Sequence, residues 1–162
     1  MLCLTNYARA QEGLAPLQLS SALNAAGQAK LAADLTCGEF SHTPCGHPFD
    51  MVFATYLQGA TSYDIGENIA WGTGDYGTPR STMNGWLHSE GHRENILTAA
   101  YTDLGIGYVP NQTFQGYAGA TLWSQEFGMR APEAAQSAAA VTAKPVAKPA
   151  KKHRRRRTTR RR

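Results

Sequence analysis

The sequence predicts helices that precede a small antiparallel sheet, the pattern of an α+β fold or of a three-layer α/β/α sandwich. Apolar side chains recur at helical spacing through the first half of the chain, whereas the second half contains two strand-like stretches separated by a polar turn. Helices followed by strands are typical of this class. With 162 residues, of which 42% are hydrophobic, the chain is long enough to form one domain with a substantial core.

Four helices are predicted in the first half. The first ends at Gly13, and the second begins at a serine cap and runs to about Leu35. A third covers roughly 49–58, and Pro79 suits the first turn of a fourth that reaches Leu87. The second helix carries a stripe of small side chains that suits close approach by another backbone, formed by Ala22, Ala26, Ala29 and Ala33.

The strands are predicted mainly in the second half. Residues 104–109 alternate with glycine, residues 118–127 form the second strand, and residues 112–116 form the turn between them. Residues 66–72 are expected to form a short strand or extended turn. Gly91 is expected to break the helical segment that precedes it.

Charge divides the chain at residue 129. Residues 1–129 hold four basic and eleven acidic side chains, a net charge of −7, whereas residues 130–162 hold twelve basic side chains and one acidic, a net charge of +11. We therefore expect one folded domain over 1–129 and a disordered tail over 130–162, first rich in Ala, Lys and Pro and then in Arg.

The tail is expected to bind polyanions, either anionic polymers of the cell envelope or, non-specifically, nucleic acid. It has no aromatic side chains to stack on bases, and with an exported domain we favour the envelope. The alternative is a solvated end that keeps the protein soluble. The basic side chains concerned are Lys151, Lys152, Arg154, Arg155, Arg156, Arg157, Arg160, Arg161 and Arg162.

The three cysteines bear on location. Cys37 and Cys45 flank a turn-rich segment that a disulfide could close; the alternatives are two buried thiols, or a zinc cluster with His42 and His47 that no C-x-x-C pair supports. A disulfide would persist only outside the reducing cytosol. No apolar run is long enough for a transmembrane segment and no signal-peptide core is present, so either the protein is cytosolic or its export signal lies outside this sequence. The cysteines favour the second, and we expect a secreted or cell-envelope protein. Cys3 is either a thiol packed within a helix or a competitor for one of the other two cysteines.

Several short motifs occur in a fixed order along most of the chain. They are Asn-Tyr-Ala-Arg at 6–9 with Gly-Leu-Ala-Pro-Leu at 13–17, Phe-Ser-His-Thr at 40–43, Gly-Glu-Asn-Ile-Ala-Trp at 66–71, the segment from Trp86 to Leu97, Asp-Leu-Gly-Ile-Gly at 103–107 and Trp-Ser-Gln-Glu-Phe-Gly at 123–128. Together they resemble the bacterial type of CAP domain, the superfamily of cysteine-rich secretory and pathogenesis-related proteins. The resemblance implies an α/β/α sandwich with a wide cleft.

The resemblance also implies a metal site, because two histidines and two acids line that cleft in many members. His42 and His92 match the histidines and Glu67 matches the first acid, which gives a ligand set for Zn²⁺ or another divalent cation. The second acid would fall at Ser89, one residue before Glu90. The structural alternatives are that His42 fixes a loop, that Glu67 accepts backbone N–H groups, and that His92 caps or packs against a helix.

Two functions of different class follow from this site. We expect an extracellular CAP-domain protein that acts by binding, since enzymatic activity is the exception in the family that the sequence resembles. The alternative is a metal-dependent hydrolase of peptide or cell-wall substrates, in which a metal-bound water attacks and Glu90 serves as the base. Lipid or sterol carriage, as in some eukaryotic relatives, is a third class for which the sequence shows no apolar loop.

Overall fold

The computed structural model describes residues 1–132, and their architecture confirms the α+β class. The sheet has the strand order β1-β3-β4-β2; β1 pairs with β3 in parallel, and the other neighbours are antiparallel. In chain order the elements are α1 (Leu2–Gln11), β1 (Gln18–Leu19), α2 (Ser21–Cys37), α3 (Ala54–Leu57), β2 (Ala60–Thr73), α4 (Pro79–Leu87), α5 (Glu90–Leu97), β3 (Asp103–Phe114) and β4 (Tyr117–Pro132). Short 3₁₀ turns cover Pro44–Gly46, Phe49–Phe53 and Gly74–Gly77.

The longer helices begin where the sequence predicts. The Ser20 hydroxyl accepts a hydrogen bond from the backbone N–H of Leu23 at 3.3 Å, and the hydroxyl of Thr78 does the same for Ser81 at the start of α4. Pro79 occupies the first turn of α4, where its missing N–H costs nothing. These caps satisfy backbone donors that a helix start otherwise leaves unpaired.

Side chains of α1 fix the turn that follows it. The Asn6 side chain bonds both the backbone N–H and the carbonyl of Leu17, at 2.8 and 3.0 Å. The buried Arg9 guanidinium donates to the carbonyls of Ile96 and Thr98, both at 2.9 Å. The motif at the start of the chain therefore joins α1 to α5 through charge-assisted hydrogen bonds to backbone.

Helix α2 lies unusually close to the sheet. A β-carbon on Gly107 of β3 would lie 2.5 Å from the carbonyl oxygen of Gly27, so the glycines of this strand are required by the packing. The buried face of α2 differs from the predicted alanine stripe, of which only Ala26 is buried. The predicted close approach by another backbone does occur, but it is made at Gly27, and the buried face also includes two charged side chains, Lys30 and Asp34, which pair with each other.

The sheet separates two helical layers. On one face α1, α4 and α5 cover a core that contains Trp86, Trp123 and Phe127; on the other face α2 covers Leu31 and Leu122. Successive residues of a strand point to opposite faces, so β4 supplies side chains to both layers. Because both faces of the sheet carry apolar side chains that helices cover, the molecule has the predicted three layers.

Several predicted boundaries change. β2 is 14 residues long, well beyond 66–72, because it pairs along most of its length with β4. Gly91 lies inside α5, and the helical break falls instead at Ser89, whose extended backbone forms the N-cap. β4 continues to Pro132, past the boundary predicted at 129. No described helix has the length and apolar character that a membrane crossing requires.

The predicted tail lies almost wholly outside the described residues. The basic side chains assigned to polyanion binding begin at Lys151, so their role stays a prediction.

Candidate functional site

The two histidines of the predicted site come from opposite layers and meet the sheet at β2, its edge strand. His42 lies in the loop after α2, and His92 lies in the first turn of α5. Glu67 and Asn68 are consecutive on β2 and therefore point to opposite faces. Glu67 contacts the segment that carries His42, and Asn68 contacts the segment that carries His92.

The imidazole of His42 is paired with the Glu67 carboxylate. His42 Nδ1 lies 2.5 Å from Glu67 Oε1, and Glu67 is buried while the His42 side chain is about half exposed (52%). Lys30 Nζ lies 3.7 Å from the same carboxylate oxygen and also donates to the Ser41 carbonyl. Lys30 thus contacts both the carboxylate and the backbone next to His42.

A disulfide brackets the loop that carries His42, which confirms the predicted pair. Cys37 at the end of α2 is bonded to Cys45 in the Pro44–Gly46 turn, with their Cα atoms 5.6 Å apart. Closing so short a loop lowers the entropy of the unfolded chain, which adds about 2–3 kcal/mol to the free energy of unfolding. Cys3 is exposed on α1 and has no disulfide partner among the described residues.

His92 is held by its neighbours rather than by an acid. Its Nδ1 lies 2.8 Å from the Ser89 hydroxyl, and its backbone carbonyl accepts a hydrogen bond from Asn68 Nδ2 at 3.0 Å. Burial, together with nearby His42, lowers the pKa of His92 below its ordinary value. The ring is therefore neutral at physiological pH, the form that binds metals.

A network of neutral side chains lies behind His92. Asn68 Nδ2 donates to Gln125 Oε1 at 3.2 Å, and Gln125 Nε2 donates to the Thr5 hydroxyl at 2.8 Å. Asn95 Nδ2 donates to Asn68 Oδ1 at 2.9 Å and to the Glu67 carbonyl at 3.0 Å. This amide network, Thr5, Asn68, Asn95 and Gln125, joins α1, β2, α5 and β4.

A group of charged side chains lies behind His42 on the opposite face. This charged cluster consists of Lys30, Asp34, Glu67 and Glu126, and each residue is at most 4% exposed. Glu126 is the cross-strand partner of Glu67 on β4. Burial, and then the neighbouring Glu67, raise the pKa of Glu126 well above its ordinary range; burial raises the pKa of Asp34 to about 6 against the opposing effect of Lys30.

A cavity of about 520 Å³ opens beside β2 and forms the cleft. Its wall includes His92, Trp71 and Trp86, and Phe40 and Tyr76 lie at its rim. Among the described residues that line it, none is Asp, Glu, Lys or Arg. A second cavity, of about 370 Å³, lies between α1 and α4 and contacts neither histidine of the site.

The structure brings some of the predicted site residues into contact but not all of them. His42 and Glu67 are in direct contact, but within residues 1–132 no three His, Cys, Asp or Glu side chains converge as metal ligands. The three-ligand set of His42, Glu67 and His92 therefore stays a prediction. Glu90 is exposed at the start of α5 and does not line the cleft cavity.

Sequence reasoning missed the charged cluster and the amide network. Lys30 and Asp34 are spaced i, i+4, the ordinary pattern of an exposed helical ion pair. Glu126 occupies the variable position of a strand motif, so the motif does not single it out. Side chains alternate between the two faces of β4, so Glu126 must lie on the face opposite Gln125. This alternation is the sequence signal that could have indicated the position of Glu126.

The comparisons with known proteins agree with this fold. The model of the cysteine-rich secretory protein (CAP) family matches residues 2–127, and the chain therefore belongs to the CAP family. The Bacillus subtilis (strain 168) protein described as "Uncharacterized protein YkwD" is 36% identical over 126 residues, which cover 76% of this chain and 44% of that protein. The chain spans less than half the length of the curated relatives it matches.

Solved structures show the same fold. An extracellular protein containing an SCP domain from Bacillus anthracis str. Ames superposes with a TM-score of 0.62 at 25% identity, over 78% of this chain and 38% of that one. An outer surface protein from Borrelia burgdorferi superposes with a TM-score of 0.65 at 17% identity, over 80% and 90% of the two chains. The second similarity, at this low identity, concerns the fold alone.

Proposed function

We propose that this protein acts outside the cytosol by binding, and that a divalent cation binds between the imidazoles of His42 and His92, of which His92 lines the cleft. An extracellular location is supported by the Cys37–Cys45 disulfide and by the similar B. anthracis protein described as extracellular. Binding is the function that the uncharged cleft favours, because no described carboxylate lines the cavity to serve as a base.

The observation that carries the metal proposal is the engagement of both Nδ1 atoms. Glu67 pairs with Nδ1 of His42 and Ser89 with Nδ1 of His92, whereas neither Nε2 atom has a hydrogen-bond partner within residues 1–132. Histidine ligands usually bond a second group through the ring nitrogen that does not bind metal. Glu67 would then orient His42, and solvent or a ligand would complete the coordination. Imidazole donors suit zinc, which when bound would supply Lewis acidity to the cleft.

The alternative function, a metal-dependent hydrolase, lacks a placed base. Glu90 is exposed and away from the cavity lining, and Glu126 is completely buried on the far side of Glu67. Neither carboxylate is positioned to take a proton from a water in the cleft.

The metal proposal is tested by melting the full chain with and without Zn²⁺. At about 100 times its Kd a bound ligand adds about 2.7 kcal/mol to the free energy of unfolding, so the melting temperature should rise by several degrees. His42→Ala and His92→Ala should each abolish the rise. His88→Ala is the matched control, because its Nδ1 contacts only the Asn84 carbonyl, and it should leave the rise intact. An unchanged melting curve for the unmutated protein contradicts the proposal.

We further propose that the basic tail attaches the protein to anionic envelope polymers. The supporting observation is the charge asymmetry, +11 over 130–162 against −7 over 1–129. A deletion should begin at residue 133, because β4 pairs as far as Pro132. It should remove salt-sensitive retention on a teichoic acid column, as should Arg→Gln at the seven arginines between 154 and 162. Retention that salt does not weaken contradicts this role.

A further inference from the structure

The rim of the cleft exposes aromatic side chains. Tyr76 is 79% exposed and Phe40 is 42% exposed, and both line the cavity together with Trp71. The Trp71 ring is supported from behind by Phe114, with centroids 5.7 Å apart, and by Tyr117 at 5.4 Å. Aromatic rings that remain exposed together around a cavity mark a binding surface.

The exposure of Tyr76 is built into the backbone. Tyr76 belongs to the Gly74–Gly77 turn, which packs so closely on β2 that a β-carbon on Gly72 would lie 2.7 Å from the Tyr76 carbonyl. Trp123 Nε1 donates to the Gly77 carbonyl at 2.8 Å and fixes the same turn. The ring therefore projects from a fixed backbone, and within the described part of the chain no other ring packs against it.

The polar groups of the cleft are uncharged. Ser81 and Asn84 of α4 line the same cavity, and neither side chain makes a hydrogen bond within residues 1–132. His92 is the single imidazole of the described lining, and no Asp, Glu, Lys or Arg accompanies it. The surface thus combines ring faces with free hydroxyl and amide groups, without an acidic, lysine or arginine side chain.

We infer that this cleft binds an oligosaccharide of uncharged hexose or N-acetylhexosamine units. A pyranose ring presents a C–H face that stacks on Tyr76 and Trp71 and a perimeter of hydroxyls that reach Ser81 and Asn84. An ionic ligand would lose its hydration without a counter-charge, and a wholly apolar ligand would bury polar groups unpaired. The volume of about 520 Å³ lies within the usual range of small-molecule sites, about 300–1,000 Å³.

This inference rests on the proposal that the cleft is a binding site, but not on the bound metal. The test is calorimetric titration of the full chain with the tetrasaccharides of β-1,4-linked N-acetylglucosamine and of β-1,4-linked glucose. Tyr76→Ala should weaken binding about tenfold, the loss expected for one stacked ring, and Tyr76→Phe should bind within about twofold of the unmutated protein. Tyr63→Ala is the matched control, because Tyr63 is 52% exposed on β2 and lines neither cavity; it should leave binding unchanged.

The outcomes separate this inference from the metal proposal. Binding of either tetrasaccharide that is reduced by Tyr76→Ala and persists in His42→Ala without zinc supports the inference even where zinc binding fails. Failure of the unmutated protein to bind both sugars overturns it, even where zinc raises the melting temperature. Binding that Tyr76→Ala leaves unchanged also overturns it, since the exposed ring at the rim of the cleft would then not contact the sugar. Retention on the matching insoluble polymers would show that polymeric chains are ligands as well.

Discussion

The amide network and the charged cluster lie on opposite faces of the sheet, and they differ in how their polar atoms are satisfied. In the amide network each described side chain donates or accepts within the network, from Thr5 to Asn95. In the charged cluster Asp34 is ion-paired with Lys30 at 3.4 Å, but within residues 1–132 neither oxygen of Asp34, neither oxygen of Glu126 nor Oε2 of Glu67 has a hydrogen-bond partner. The paired residues Asn68 and Gln125 therefore belong to a network whose side chains are hydrogen-bonded to one another. The next pair along the same strands, Glu67 and Glu126, points to the other face and keeps carboxylate oxygens without such partners.

The segment of His92 is held by neutral hydrogen bonds, whereas His42 is held by interactions between charged groups. The segment of His92 is fixed by neutral hydrogen bonds, which do not change between pH 5 and 9. The pairing of His42 depends on Glu67, which shares a single ammonium group, Lys30, with two other buried carboxyls. Removing a charge on the His42 face should therefore change the free energy of unfolding by an amount that varies with pH, whereas removing a neutral hydrogen bond on the His92 face should change it by an amount that does not.

The largest effect is expected from Lys30→Met. Removing the only cation of the charged cluster leaves three buried carboxyls without compensation, and breaking a buried ion pair costs about 3–5 kcal/mol. The folded state then holds the carboxyl protons more tightly than the unfolded state, so the deficit in the free energy of unfolding should grow as pH rises from about 4 to 7. Urea denaturation at several pH values measures it.

A double variant sharpens this result. Adding Glu126→Gln to Lys30→Met removes one of the carboxyls left without a counter-charge, and should recover part of the lost free energy. Strict additivity of the two changes would show that Lys30 and Glu126 do not interact, and the charged cluster would then not act as a unit.

A smaller and pH-independent effect is expected from Asn68→Ala. The change leaves the His92 carbonyl, Gln125 Oε1 and an N–H of Asn95 without a partner, at a cost of about 1–3 kcal/mol. Asn84→Ala is the control, because Asn84 is exposed, and it should change the free energy of unfolding by less than about 0.5 kcal/mol. A strong pH dependence of the Asn68→Ala effect would contradict the distinction between the two faces.

The order and type of most elements could be predicted because local signals specify them. Ser20 and Pro79 begin α2 and α4 as their chemistry requires, and the strand glycines lie where α2 approaches. The prediction for Gly91 was wrong because this glycine lies within the first turn of α5, and the break before the helix falls two residues earlier, at the extended backbone of Ser89. β2 extends beyond its apolar motif because pairing with β4, a long-range interaction, sets its length.

Only those residues of the candidate site that belong to sequence motifs could be predicted. The resemblance selects His42, Glu67 and His92, and the structure brings the first two into contact. It could not indicate that Lys30 and Glu126 surround Glu67, because burial of a charge depends on which face of α2 and β4 meets the other. Hydrophobic periodicity treats such residues as exposed, so it assigns a buried charge to the wrong face.

The smallest expected effect, and the one of opposite sign, comes from Glu126→Gln. Burial and Glu67 hold the pKa of Glu126 above its ordinary value of 4.5, so the folded protein binds more protons than the unfolded chain above that pH. The free energy of unfolding therefore falls as pH rises through this range, and the neutral amide avoids the loss. The variant should be more stable than the unmutated protein at pH 7, and the difference should vanish below about pH 4, where the carboxyl is protonated in the folded and the unfolded state alike. The exposed Glu94→Gln should show neither change. A Glu126→Gln protein less stable at pH 7 would mean that the carboxylate, and not its protonated form, holds Glu67 and His42 in place.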